Sequence, residues 1–193
     1  MKTLSKHKKI LNKLNSKVKK KILWLIAARS GSKSIAHKNI KLLGGHPLLS
    51  YRIESVKGTK TEHDLWITTD SEEYASIAQG YGAEVPFIRP EELSVDNSSS
   101  IDVVIHAMEY AKKYNKEFDY VGLLEPTSPF IKSNQLDRAI SLLEENNEAS
   151  SIVAIKKARP NRIFIQKESM YLKELSLNLK RLKNFRRQDF EKE

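Results

Sequence analysis

The chain contains no cysteine. That absence excludes a disulfide framework, a thiolate metal centre and covalent catalysis through a thiol, and it fits a reducing compartment. Neither the G-x-x-x-x-G-K-S/T phosphate loop nor the G-x-G-x-x-G dinucleotide fingerprint occurs. No apolar run approaches the roughly 18 residues that cross a bilayer, and the N-terminus lacks the apolar stretch and small-residue cleavage site of a secretory leader. These absences point to a soluble, cytoplasmic protein, and 193 residues with 39% hydrophobic content allow one sizeable core.

Acidic residues are missing from the first 21 positions, which hold nine of the 34 basic residues; against 24 acidic residues, the rest of the chain is close to neutral. The net charge of +10 therefore belongs to a tail, and the body does not read as a nucleic-acid binder. Leu4, Leu11, Leu14 and Val18 would share one face of a helical tail, open to an anionic membrane surface, a nucleic acid or a partner. That stripe is thin, and a solvated extension is the preferred reading. Residues 1–20 are thus taken as a basic extension and 21–193 as one domain.

From Lys21 onward, short apolar runs alternate with amphipathic stretches, as in a parallel sheet covered by helices. Strands are expected over 22–28, 65–69, 85–88, 120–124 and 151–155. Leu48, Leu49, Ile53 and Val56 indicate a helix. Three more keep the i, i+3, i+4, i+7 spacing, at Tyr74, Ile77, Ala78 and Tyr81, at Ile101, Val104, Ile105 and Met108, and at Leu136, Ala139, Ile140 and Leu143. Five strands joined by crossover helices make a doubly wound α/β sheet, with function at the carboxyl ends of the strands. Residues 160–180 lose this rhythm and read as an excursion carrying a small hairpin, 162–166 with 170–175.

Polar, turn-forming segments follow the predicted strand ends. Ala28-Arg29-Ser30-Gly31-Ser32-Lys33-Ser34, with His37, Lys38 and Asn39 after it, is a loop of small residues. Its backbone N–H groups can approach phosphate oxygens while Arg29, Lys33 and Lys38 supply positive charge; a surface turn with solvated lysines is the alternative. Asp70-Ser71-Glu72-Glu73 spells a helix start with Asp70 as cap and Glu73 reaching back. Ser99 or Ser100 suits an N-cap before Ile101. The histidines show no metal-ligand spacing. In Leu124-Glu125-Pro126-Thr127-Ser128-Pro129 the prolines end a strand and leave a polar group at the cleft.

Taken together, the first loop, Lys38-Asn39-Ile40, Thr69-Asp70, the stretch from Gly82 through Arg89-Pro90-Glu91-Glu92-Leu93, and Leu124 to Pro129 resemble the acylneuraminate cytidylyltransferases, the CMP-sialic acid synthetases. Arg187-Gln188 resembles a further motif of that family. The resemblance implies a Rossmann-like three-layer α/β/α nucleotidyltransferase fold with a mostly parallel sheet. It also implies transfer of CMP from CTP to a sialic-acid-type 2-keto sugar acid with release of pyrophosphate, aided by Mg2+ or Mn2+, in a homodimer built around 160–180. By the same resemblance Arg29 and Lys38 hold the triphosphate and are the catalytic pair, with Ala28, Ser32, Lys33 and Asn39 beside them. Arg89, Ser99 and Ser100 match cytidine-binding positions, and Glu125, Arg162, Arg187 and Gln188 face the sugar. Arg89 as a surface ion-pair residue and the serines as caps remain the alternatives.

Three departures stand out. The family has glutamine at Glu125, and a carboxylate there repels an acidic sugar and donates no hydrogen bond. Ser30, Ser34 and Ala36 replace the glycine and proline of the usual first loop. The chain stops at Glu193, short of the aspartate pair that holds the family's metal, so the domain is expected to be cut short at its C-terminus and no metal ligand is named. Activation of legionaminic or pseudaminic acid, and an inactive nucleotide-binding remnant, are the rival readings.

Overall fold

A computed structural model describes residues 20–146, 148–155, 164–166 and 172–174. The basic tail, Arg162, Arg187 and Gln188 lie outside the described residues. The chain divides near residue 152 into two units. In the first, β1 (Ile22–Ala27) is followed by a 3-10 turn (Lys38–Ile40), β2 (Leu42–Leu43), β3 (His46–Pro47) and helix α1 (Leu48–Lys57). Then come β4 (His63–Thr68), α2 (Glu72–Gly80), a second 3-10 turn (Glu91–Leu93), α3 (Ser100–Lys113), β5 (Tyr120–Leu124) and α4 (Ser133–Glu145). The second unit contains the expected hairpin as β6 (Phe164–Gln166) antiparallel to β7 (Leu172–Glu174).

The central sheet is parallel, in the order β4-β1-β5. β1 is the middle strand and its side chains are buried on both faces, as its unbroken apolar run requires. Ile22, Trp24 and Ile26 face α1, α2 and α4, packing with Leu49, Ile53, Tyr74, Ala78, Leu136 and Ile140. Leu23 and Leu25 face the other way, onto Trp66 and the Ala107 and Ala111 stripe of α3. Helices on both faces give the three expected layers, and each fully buried Ile or Leu of β1 contributes roughly 1.5–3 kcal/mol.

The expected strand over 85–88 is reduced to two bridges, Trp66 with Glu84 and Thr69 with Ile88. Pro86 lies between them and has no N–H for a ladder, so the segment runs beside β4 without forming a strand. Residues 151–155 also differ from expectation: they carry no ladder pairing, and Val153 and Ile155 are exposed. Alternation supplied the apolar residues there, but a strand also needs a neighbour. The β2–β3 hairpin was not read from the sequence. Its turn is Gly44-Gly45, both at positive φ (58° and 87°), where side chains other than glycine are strained.

The amino ends of the strands are closed by an ion cluster. Asp64 pairs with Lys21 at 2.9 Å and Lys116 at 3.1 Å, and Lys116 reaches Glu84 at 3.2 Å. Lys116 also lies over the Trp66 ring, whose Nε1 donates to Glu84 Oε2 at 3.1 Å. Burial pushes the Asp64 carboxyl up, but hydrogen bonds from Lys21 and Lys116 outweigh it and hold the group below the usual range. A depressed carboxylate contributes stability above its unfolded pKa of about 3.9, and that contribution is lost as pH falls through the folded value. Asp64→Asn is expected to cost about 1–2 kcal/mol in urea unfolding at pH 7. Below roughly pH 4 the difference from wild type should shrink toward zero.

Candidate active site at the carboxyl ends of the sheet

The register sets Ala27 beside Thr68 and Ile26 beside Leu124, so three strands end at one rim. From β1 the chain goes first to β4 on one side and later to β5 on the other, and such a reversal leaves a crevice at the strand ends. Buried Ala28 continues the ladder by one bond, donating its N–H to Thr68 O at 3.0 Å. The chain then leaves the sheet into the loop of small residues that follows it.

That loop is tied down at both ends. Asp70, just past β4, accepts from Ser30 N at 2.7 Å and from Ser30 Oγ at 2.9 Å. Buried Asn39, in the first 3-10 turn, donates from Nδ2 to Arg29 O at 2.9 Å. Ser32 N–H donates to Ser30 O at 2.8 Å and tightens the turn between the anchors. His37, at the far end, adopts a left-handed conformation (φ 51°), and half-buried Lys38 opens the 3-10 turn behind it.

Asp70 is therefore not the helix cap read from the sequence. Ser71 caps α2, its side chain accepting from Tyr74 N at 3.3 Å, because Asp70 is committed to the loop. At α3 the cap is Ser99, which accepts from Ile101 N at 3.1 Å, and Ser100 is the exposed first helical residue. Cap and ligand roles are compatible for a serine hydroxyl, which has a proton to donate while its oxygen accepts.

Two cations of the loop converge on a residue the sequence reading did not single out. Arg29 Nη2 pairs with Asp96 Oδ1 at 2.8 Å, and Arg29 Nη1 reaches Ser94 O at 3.5 Å. Lys33, largely exposed, pairs through Nζ with Asp96 Oδ2. Hydrogen bonds from Lys33 and Arg29 hold the Asp96 carboxyl below its ordinary range. The signal available in the sequence was its place, a carboxylate opening the turn before α3.

Arg89 is 5% exposed and does not stand on the surface as an ion-pair residue. Its Nη2 donates to Thr68 O at 2.5 Å and its Nη1 to Leu93 O at 3.5 Å, while its own N–H donates to Thr69 O at 2.7 Å. It braces the end of β4 against the second 3-10 turn. Burial lowers its guanidinium to about 10, with Arg29 adding to the fall and Asp70 opposing it. Arg29, Asp70 and Arg89 are thus electrostatic neighbours.

On the β5 side, Glu125 is exposed, and its Oε2 accepts from Thr127 Oγ1 at 3.3 Å. Its carbonyl accepts from Arg52 Nε at 3.0 Å. Arg52 is 1% exposed, and its Nη1 is buried without a partner. Burial lowers the Arg52 guanidinium, and Glu125 partly offsets that. A buried cation behind Glu125 was missed because a charged side chain in an amphipathic helix is ordinarily assigned to solvent. The rim thus unites Ala28, Arg29, Ser32, Lys33, Lys38 and Asn39 in one segment with Arg89 beside it, whereas Glu125 lies just past the end of β5.

A family model described as Cytidylyltransferase matches residues 23–190. Over 145 residues the chain is 37% identical to the N-acylneuraminate cytidylyltransferase of Escherichia coli, covering 75% of this chain and 33% of that protein. It is 38% identical over 122 residues to the CMP-N,N'-diacetyllegionaminic acid synthase of Legionella pneumophila, covering 63% of this chain and 53% of that one. A solved CMP:2-keto-3-deoxy-manno-octonic acid synthetase complexed with CTP shares the fold, with a TM-score of 0.56 at 19% identity over 66% of this chain and 49% of that chain. The chain spans between a third and about half of the length of these curated relatives. With the family model running from β1 almost to the last residue, the chain belongs to the cytidylyltransferase family that its motif segments resemble.

Proposed function

We propose that this chain binds CTP at the loop after β1 and transfers CMP to a sialic-acid-type 2-keto sugar acid, releasing pyrophosphate. The observation that carries the reading is the anchored loop: Asp70 and Asn39 fix its backbone while Arg29 and Lys33 already grip a carboxylate at its rim. A phosphate offers the same acceptor chemistry with more charge.

In the proposed reaction the anomeric hydroxyl of the sugar attacks the α-phosphorus in line as the bond from that phosphorus to the α,β-bridging oxygen breaks; pyrophosphate leaves with the β- and γ-phosphates and the hydroxyl proton passes to solvent. Arg29 and Lys38 neutralise the charge that builds on the departing pyrophosphate, and Lys33 and the loop N–H groups near Ser32 and Asn39 position it. Arg89, Ser99 and Ser100 are assigned to cytidine. Glu125, with Arg162, Arg187 and Gln188 outside the described residues, is assigned to the sugar. A homodimer acting in the cytoplasm completes the proposal.

A Mg2+ or Mn2+ ion belongs to the proposal as charge neutralisation on the phosphates. Among the described residues no three carboxylate or histidine side chains gather into a ligand set. Asp70 and Asp96 are engaged by Ser30 and by the loop cations.

Titration calorimetry with CTP and magnesium should give a saturable heat that ATP and GTP do not match. A folded protein showing no heat beyond dilution would overturn the assignment. Turnover with sialic, legionaminic and pseudaminic acids separates the acceptors, and pyrophosphate release from none of them would leave a binding protein.

A further inference from the structure

The carboxylate of Asp96 occupies two of the loop's cations at once, one oxygen on Arg29 Nη2 at 2.8 Å and the other on Lys33 Nζ. Two oxygens bridging a guanidinium and an ammonium is also how a phosphate group would use them. The turn that carries Asp96 is braced from within. Ser94 Oγ donates to Pro90 O at 3.0 Å, Ser98 Oγ to Glu92 O at 2.8 Å, and Ser98 N–H to Val95 O at 3.1 Å. Lys33 by contrast is 85% exposed on a long flexible stem, and Arg29 spends its second nitrogen only on a 3.5 Å contact. The cations are therefore the mobile partners and the carboxylate the fixed one.

We propose that Asp96 stands in for a phosphate in the nucleotide-free loop, holding Arg29 and Lys33 until a polyphosphate takes them and recapturing them as pyrophosphate leaves. This rests on the reading of the loop as the triphosphate site. The contact cannot simply be scaffolding for the ligand. An exposed lysine pair is worth little on its own, whereas a fixed negative charge beside the site opposes every incoming phosphate. Asp96 thus lowers polyphosphate affinity and keeps the product from being retained.

The test is a titration of the whole chain with sodium tripolyphosphate and with pyrophosphate, in EDTA so that no ion bridges the anions. Asp96→Asn keeps the shape and removes the charge; Asp96→Ser is a second variant should the amide form a new bond to Arg29. Glu92→Gln removes one charge from the same exposed segment without touching the cations. Both Asp96 variants should bind tripolyphosphate at least fivefold more tightly than wild type, with Glu92→Gln within twofold of it. Equal or weaker binding by the Asp96 variants, or equal tightening by Glu92→Gln, overturns the stand-in role while leaving the loop reading intact. No binding by any of the four proteins removes both.

Discussion

Arg29→Ala and Lys38→Ala are each expected to lower turnover with CTP at least tenfold. The chemistry of phosphoryl transfer leaves the protein little to do beyond positioning and charge neutralisation. Removing one preorganised donor aimed at developing negative charge commonly costs 10²–10³ in rate. The lower bound is tenfold because Lys33 remains in the loop and takes up part of the load. The fold should survive both changes: Arg29 is held to Asn39 through its backbone carbonyl, which alanine keeps. Arg29→Ala also removes one of the two cations that hold Asp96, so a carboxylate faces the phosphates less well compensated. Adding Asp96→Asn to it should return part of the loss. The measurement is pyrophosphate release under saturating CTP, with a circular-dichroism melt for each variant. Near-normal rates in both alanine variants would mean that the triphosphate lies elsewhere.

A second large effect is expected far from the chemistry, at Gly122. This residue sits in β5 in register with Trp24 of β1. A Cβ built there would lie 2.2 Å from Trp24 Cζ3 and 2.3 Å from Cε3. The indole has nowhere to go, being 4% exposed and packed in the cluster between the sheet and α1, α2 and α4. Overpacking of this kind costs about 1–3 kcal/mol and sometimes more, because ring and strand must both shift. At about 2–4 °C per kcal/mol for a chain of this size, Gly122→Ala should lower the melting temperature by roughly 2–12 °C. Trp24→Leu in the same chain should return part of it, since the atoms in the way are those of the ring. A Gly122→Ala protein that melts with wild type would show that the indole does not lie over β5.

Much of this architecture was legible from periodicity. The buried run of β1 and the i, i+3, i+4, i+7 stripes of α2 and α4 needed no tertiary knowledge, because each element declares the face it must bury. In α3 the spacing found the helix but not its buried face, since Ile101 and Ile105 are exposed and the small side chains of Ala107 and Ala111, with Val103, are the ones buried. The position of the loop after β1 was legible for a related reason, since small, polar residues follow an apolar run where the chain must leave the sheet. What could not be read were choices between adjacent, equally suited residues. Asp70 and Ser71 both make good caps, and only the presence of Ser30, forty positions earlier, draws Asp70 away. Arg52 falls on the buried face of α1 between Leu49, Ile53 and Val56, a place where pattern alone forbids a charge. Its partner is the Glu125 carbonyl, 73 residues later in the chain. Asp96 was passed over for the opposite reason: an acid in a polar turn looks ordinary until its two cations come in from the loop after β1.

The division of labour between Asp70 and Ser71 makes helix registry and the anchoring of the loop after β1 one mechanical property. Exchanging the two side chains would preserve composition, charge and capping propensity, and α2 would still form. Yet the carboxylate would turn toward the helix and the hydroxyl toward Ser30, trading a two-pronged acceptor for a single oxygen. A one-residue slip at the start of a helix, invisible to any measure of secondary structure, would thus leave the rim of the sheet slack.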